Sequence, residues 1–159
     1  MNLNKYHLGG IALLIVLVFG FIFFMPSAAS SNEVFEGKQI TVHYSLSCGC
    51  CVNFIGYLRD LGLKPEAHQE PDPNTIKEKL NIPQDMRSCH TTVIGDYFIE
   101  GHMPIEAVEK LLKEKPEIDG IALPGMPSGS PGMPGLKSEP FKVYAIKDGK
   151  AIGIFTEIK

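Results

Sequence analysis

Four cysteines carry the chemistry open to this sequence: Cys48, Cys50 and Cys51 within Cys48-Gly49-Cys50-Cys51, and the distant Cys89. Cys48 and Cys51 have the C-x-x-C spacing of a dithiol–disulfide pair, which points to thiol–disulfide exchange. Cys50 inside the motif complicates that picture. If a helix starts at the cysteine turn, its N-terminal partial charge lowers thiol pKa and favours thiolate. Cys48 and Cys51 then share one side of the first turn, with Cys50 roughly 100° around from Cys51. The sulfurs form a fan rather than a simple pair.

Four thiols have several possible uses. Two structural disulfides allow three connectivities; joining the adjacent Cys50 and Cys51 needs a strained geometry, and the other pairings staple little chain. Structural zinc also takes four thiolates, yet three ligands within four positions make an awkward chelate for one tetrahedral ion. Iron–sulfur clusters use four cysteines too. Copper(I) suits the pattern best, because soft thiolates and thioethers select it and low coordination numbers tolerate crowded, irregular ligand sets. Adjacent thiolates can also bridge two ions. The expectation is therefore a copper-binding protein holding Cu(I), more than one ion, through Cys48, Cys50, Cys51 and Cys89. The alternative is an extracytoplasmic thiol–disulfide oxidoreductase using Cys48 and Cys51; no separate catalytic residue is assigned. His90, His102, Met126 and Met133 are secondary ligand candidates. Against each stands an ordinary role: a methionine in a Pro/Gly loop packs on the domain, and His102 caps the helix after it. His43, His68 and Met86 show nothing beyond ordinary strand or core positions.

The elements that must position these residues follow from local patterning. Residues 39–44, Gln-Ile-Thr-Val-His-Tyr, read as a strand. After the cysteine turn, Val52, Ile55, Leu58 and Leu61 recur at helical spacing up to Gly62, a C-cap residue. A short strand is expected over 64–69, then a helix from Asp72-Pro73 with Ile76 and Leu80 inward. Two strands follow around the Gly95-Asp96 turn. Pro104 opens a helix with Ile105, Val108, Leu111 and Leu112 as its apolar stripe, and Pro116 ends it. Residues 120–135 read as a Gly/Pro/Met/Ser loop, and the chain finishes as a hairpin, 141–146 and 151–158, turned at Asp148-Gly149. This order, β-α-β-α-β-β-α plus a C-terminal β-hairpin, is α/β and similar to the glutaredoxin-type core of the thioredoxin-like fold. In that fold the segment entering the strand at Thr91 passes beside the cysteine turn and usually carries a cis-proline; here it reads Ser88-Cys89-His90-Thr91. Cys89 would thus join the other sulfurs.

The N-terminus sets the compartment. Residues 8–25 are an apolar run of eighteen without a charge, preceded by Lys5 and followed by Pro26-Ser27-Ala28-Ala29-Ser30. Residues 1–31 are expected to be an export signal peptide or an N-terminal membrane anchor, and residues 32–159 one metal-binding domain. Either way the positive-inside rule leaves that domain in the periplasm or on the extracytoplasmic face of the inner membrane. The absence of a twin-arginine pair implies export unfolded, which disfavours a preassembled iron–sulfur cluster. The formal net charge is −3, and without Lys5 the remainder stands at −4. With no basic stripe, nucleic acid is excluded as a partner. No phosphate loop, nucleophile elbow or paired carboxylates occur.

Taken together, Tyr44-Ser45-Leu46-Ser47-Cys48-Gly49-Cys50-Cys51, Ser88-Cys89-His90-Thr91, Glu100-Gly101-His102, Leu123-Pro124-Gly125-Met126-Pro127 and Gly129-Ser130-Pro131-Gly132-Met133 resemble a bacterial domain long labelled as of unknown function. Its members include the CopG-like copper-resistance proteins, unrelated to the plasmid repressor of that name. The resemblance covers about residues 38–158. It implies a thioredoxin-like fold, a location outside the cytoplasm, and copper held by cysteines matching Cys48, Cys50, Cys51 and Cys89. It also suggests a role in copper tolerance by interconverting Cu(I) and Cu(II), with copper efflux or other envelope copper proteins as partners.

Overall fold

The structure, a computed structural model, describes residues 31–159. The apolar run at 8–25 lies outside the described residues; among the described ones no helix is long and apolar enough to cross a membrane. After a 3-10 turn at Ser31–Phe35 the elements are β1 (Ile40–Tyr44), α1 (Gly49–Asp60), β2 (Glu66–Gln69), α2 (Asn74–Lys79), β3 (Thr91–Ile94), β4 (Tyr97–Glu100), α3 (Ile105–Glu114), β5 (Gly120–Ala122), β6 (Phe141–Lys147) and β7 (Lys150–Ile158). A second 3-10 turn, Gln84–Met86, precedes β3. The order expected through α3 is observed.

All strands among the described residues belong to one mixed sheet of seven, ordered β2-β1-β3-β4-β5-β6-β7. β1 runs parallel to β2 and antiparallel to β3, β3 antiparallel to β4, and β4 parallel to β5. The C-terminal hairpin is present and turns through Asp148 and Gly149, both in the left-handed region, as a two-residue hairpin loop demands. It is continuous with the rest of the sheet because β5 bridges β4 to β6. β5 corrects the expectation of an unstructured 120–135. Three residues are too few to display an alternation, and Asp119-Gly120 reads as a turn. Gly120 is needed there for space: a Cβ would sit 2.2 Å from the Phe98 carbonyl oxygen.

Period-two alternation divides the core between the sheet's two faces. On one, Val42, Ile94, Ile99, Ile121 and Val143 pack with α1 and α3. On the other, Phe98, Ala122 and Ile146 pack with Ile82, Leu80 and Met86 from α2 and the turn after it. The buried stripe of α1 is Cys51, Phe54, Ile55 and Leu58. Val52, expected inside, is 54% exposed, and Leu61 is half-buried. The helix starts at Gly49 with Cys48 as N-cap, so Cys51 is the first apolar anchor and the stripe advances from it by three, four and seven. α1 ends as expected at Gly62, whose N–H donates to Arg59 O while Leu63 N–H donates to Leu58 O, the paired bonds of a Schellman motif. In α2 the expected inward residues Ile76 and Leu80 are only half-buried, whereas Lys77 is buried. A short helix with a charge on its inner face requires a partner inside, and one is present.

Candidate metal centre

The cysteine turn leaves β1 and becomes the first turn of α1. Cys48 is the N-cap, but its sulfur makes no capping hydrogen bond; the Cys51 and Val52 N–H groups donate to the Cys48 carbonyl at 3.2 and 3.4 Å. The Sγ atoms of Cys48, Cys50, Cys51 and Cys89 all lie within 4.8 Å of one another. Cys48 and Cys51 are joined as a disulfide with Cα atoms 5.3 Å apart, while Cys50 and Cys89 are free. Cys50 is the central sulfur: its Sγ is 3.4 Å from that of Cys48 and 3.6 Å from that of Cys89. Cys51 is wholly buried, and the other three are half-buried. Burial, reinforced by the hydrogen bond and charge of Cys50, pushes the Cys89 thiol up to about 11. Cys89 has no helix N-terminus of its own; Cys48, Cys50 and Cys51 share that of α1.

Of the secondary candidates, the structure brings Met126 to the cysteines: Cys89 Sγ donates to the Met126 thioether. Met126 has φ +48° and is 41% exposed, placing it at the edge of the group. Met133 makes no hydrogen bond to a cysteine. Its neighbour Gly132, at φ +80°, lies flat on the first turns of α1, where a Cβ would fall 2.7 Å from Phe54 N and 2.9 Å from Cys50 O. Asn53 donates to Gly132 O at 3.4 Å. The Met-bearing loop therefore folds over the cysteine turn.

His90 and His102 are fully buried, packed against Phe54 of α1, and neither joins the four-sulfur group. Their rings meet edge to face with centroids 4.7 Å apart, and His90 stacks on Phe54 at 4.3 Å. His102 does not cap α3; its Nδ1 donates to Pro131 O at 2.8 Å. That bond leaves Nε2 with the lone pair, and neither His102 Nε2 nor either nitrogen of His90 has a well-formed partner among the described residues. Burial holds His90 well below its ordinary value, helped by His102 and Lys77 and opposed by a backbone hydrogen bond to Gly101. Burial also depresses His102, against the pull of its Pro131 hydrogen bond.

Directly under the Cys89 segment lies a network absent from the sequence reading. The buried Lys77 pairs with Glu100 and donates to Thr91 Oγ1 at 3.0 Å. Glu100 accepts further bonds from Thr91 Oγ1 and Ser88 N, each at 2.6 Å. Burial raises its carboxyl above the ordinary range, against Lys77, Thr91 and Ser88, which pull it down. Ser88 and Thr91 flank Cys89 and His90, so the carboxylate pins the segment that carries Cys89. A charged residue closing a strand of otherwise buried side chains, Ile99-Glu100-Gly101, was the one available signal.

This mixed α/β protein thus presents a convergent all-cysteine group that could hold a soft metal ion. The family described as "Protein of unknown function, DUF411" matches residues 86–133, and no curated protein sequence matches. Among solved structures, one titled copper resistance protein CopG, form 2, is 37% identical with a TM-score of 0.69, covering 77% of this chain and 98% of that one. Form 1 is 40% identical with a TM-score of 0.67, covering 75% and 95%. The chain belongs to the CopG family of copper resistance proteins.

Proposed function

We propose that this chain is an envelope copper protein in copper resistance, with copper as its cargo, bound as Cu(I) by Cys48, Cys50, Cys51 and Cys89 on a thioredoxin-like scaffold. The observation that carries the proposal is the convergence of four sulfurs within 4.8 Å. A dense group of soft donors selects copper, and adjacent thiolates can bridge more than one ion. The strand order β2-β1-β3-β4 with α1 leaving the cysteine turn supports the thioredoxin-like assignment. His102 is a further ligand candidate, because a ligating imidazole usually donates its other N–H to a carbonyl, as His102 does to Pro131. Met126 at the edge would cover the copper or pass it on, with Met133 in the same loop. Interconversion of Cu(I) and Cu(II), and exchange with copper efflux or other envelope copper proteins, complete the proposal.

The full chain, purified reduced and without oxygen in mild detergent, is titrated with Cu(I) against a competing chelator, and bound copper is counted by elemental analysis. Two or more ions per chain, falling sharply in Cys89→Ser, is the expected result. One weakly held ion or none, indifferent to Cys89, sinks the proposal. In its place would stand thiol–disulfide exchange through Cys48 and Cys51, a reading favoured by the bridge between them. Dithiol turnover that survives Cys89→Ser marks that outcome.

A further inference from the structure

The Cys48–Cys51 bridge has a consequence for the four-sulfur group. A disulfide sulfur is no thiolate and is a poor ligand, because the thiolate is the metal-binding form. With the bridge closed, the donors left side by side are Cys50 and Cys89, 3.6 Å apart, and the Met126 thioether in contact with Cys89. Resting on the copper reading above, we propose that these three residues form a Cu(I) site of their own. It takes one ion while Cys48 and Cys51 are oxidised, and the full four-cysteine set forms only after the bridge is reduced.

Three observations converge on this partition. Cys50 and Cys89 are both free and half-buried, so their sulfurs are shielded yet reachable. Met126 holds a left-handed backbone, φ +48°, which is uncommon for a residue other than glycine; such outliers persist where surrounding structure enforces them, often at ligand clamps. Here the outlier carries the one thioether brought to the cysteines. Two thiolates and a thioether also make a donor set that low-coordinate Cu(I) accepts and structural zinc, which wants four ligands, does not. The narrow site would thus be selective as well as smaller.

Opening the larger site is a two-electron step. An external thiol of the envelope, R–SH, attacks one sulfur of the bridge and a second R–SH resolves the mixed disulfide. The Cys48–Cys51 S–S bond breaks, one R–S–S–R bond forms, and both cysteines leave as thiols, which lose their protons as copper binds.

The test uses the full chain in detergent in two states, bridge intact and bridge reduced, with the state verified by alkylation and mass spectrometry. Each is titrated anaerobically with Cu(I), and separately with Zn(II). Expected are one Cu(I) and no tight Zn(II) in the oxidised state, and two or more Cu(I) in the reduced state. Met126→Leu, with unchanged circular dichroism, is expected to weaken the oxidised-state site at least tenfold. Cys48→Ser/Cys51→Ser, which removes the bridging sulfurs, is expected to bind one Cu(I) when Cys50 and Cys89 are kept reduced. An oxidised chain that binds no copper, binds as much as the reduced chain, or is indifferent to Met126→Leu overturns the partition while multi-copper binding by the reduced chain leaves the function standing. A reduced chain that binds none overturns both.

Discussion

The hairpin that carries Cys89 buries polar groups on both faces of the sheet, and the two faces treat them in opposite ways. Toward α2, Thr91 and Glu100 stand opposite each other across β3 and β4, and with Lys77 they form a network in which the carboxylate has three donors. Toward α1, the neighbouring positions are His90 and Thr92, together with His102 beyond the end of β4. His90 lacks a well-formed bond at either nitrogen, Thr92 at its hydroxyl and His102 at Nε2. A buried polar group left unsatisfied costs about 1–3 kcal/mol. The saturated face therefore holds the segment in place, and the other face carries buried polar atoms without such donors.

That contrast breaks most visibly at Lys77. Lys77→Met leaves Glu100 buried and unpaired and is expected to cost about 3–5 kcal/mol, read as a lowered denaturation midpoint. Adding Glu100→Leu is expected to restore much of it; a single variant as stable as the wild type would deny the network its positioning role. Next comes Cys89 itself. With its thiol pushed up to about 11 against an ordinary 9.0, the metal-free chain with the Cys48–Cys51 bridge intact should expose roughly 100-fold less thiolate at Cys89 than a free cysteine does at neutral pH. Its alkylation should keep accelerating as pH rises toward that value, whereas a plateau near pH 9 would refute the shift.

A smaller effect is expected where the Met loop rests on α1. Gly132→Ala forces a Cβ between Phe54 N and Cys50 O at a positive φ, for a loss of about 1–3 kcal/mol. Since the loop also carries Met126, copper affinity should fall with it; unchanged melting would mean the loop does not seat on the cysteine turn. The smallest stability change belongs to the unsaturated face. His102→Leu removes an orphan nitrogen together with the Nδ1 hydrogen bond to Pro131 O and is expected to lower stability by about 1 kcal/mol, while weakening copper binding roughly 10–100-fold. The reverse pattern, large destabilisation with intact copper binding, would reassign His102 to the core.

Much of this arrangement was legible in the chain because it depends on local rules. The strand at Ile40, the helix after the cysteines, the Gly62 stop, the Gly95-Asp96 and Asp148-Gly149 turns and the Pro104 helix start all follow from propensity, periodicity and turn chemistry. The errors have equally specific origins. Val52 was assigned to the core because the helix was phased from the residue after the cysteines, when Cys51 itself is the buried anchor. β5 is legible only through its partners on both sides. Lys77 looks like any solvated helical lysine until Glu100, twenty-three residues away, is placed beside it.

By itself the sequence determined which donors exist and which lie together along the chain: three sulfurs at one helix start, a fourth far off, and soft thioethers in a Pro/Gly loop. These are matters of residue type and short-range spacing, where backbone geometry alone decides what is adjacent. Tertiary structure decided the rest. It set Cys89 beside Cys50, chose Met126 over Met133 as the cysteines' neighbour, and buried two imidazoles against α1. The first two depend on contacts between segments 39 and 37 residues apart, the third on which face of the sheet a side chain takes. Only the packed fold, by excluding water from both faces, made those differences count.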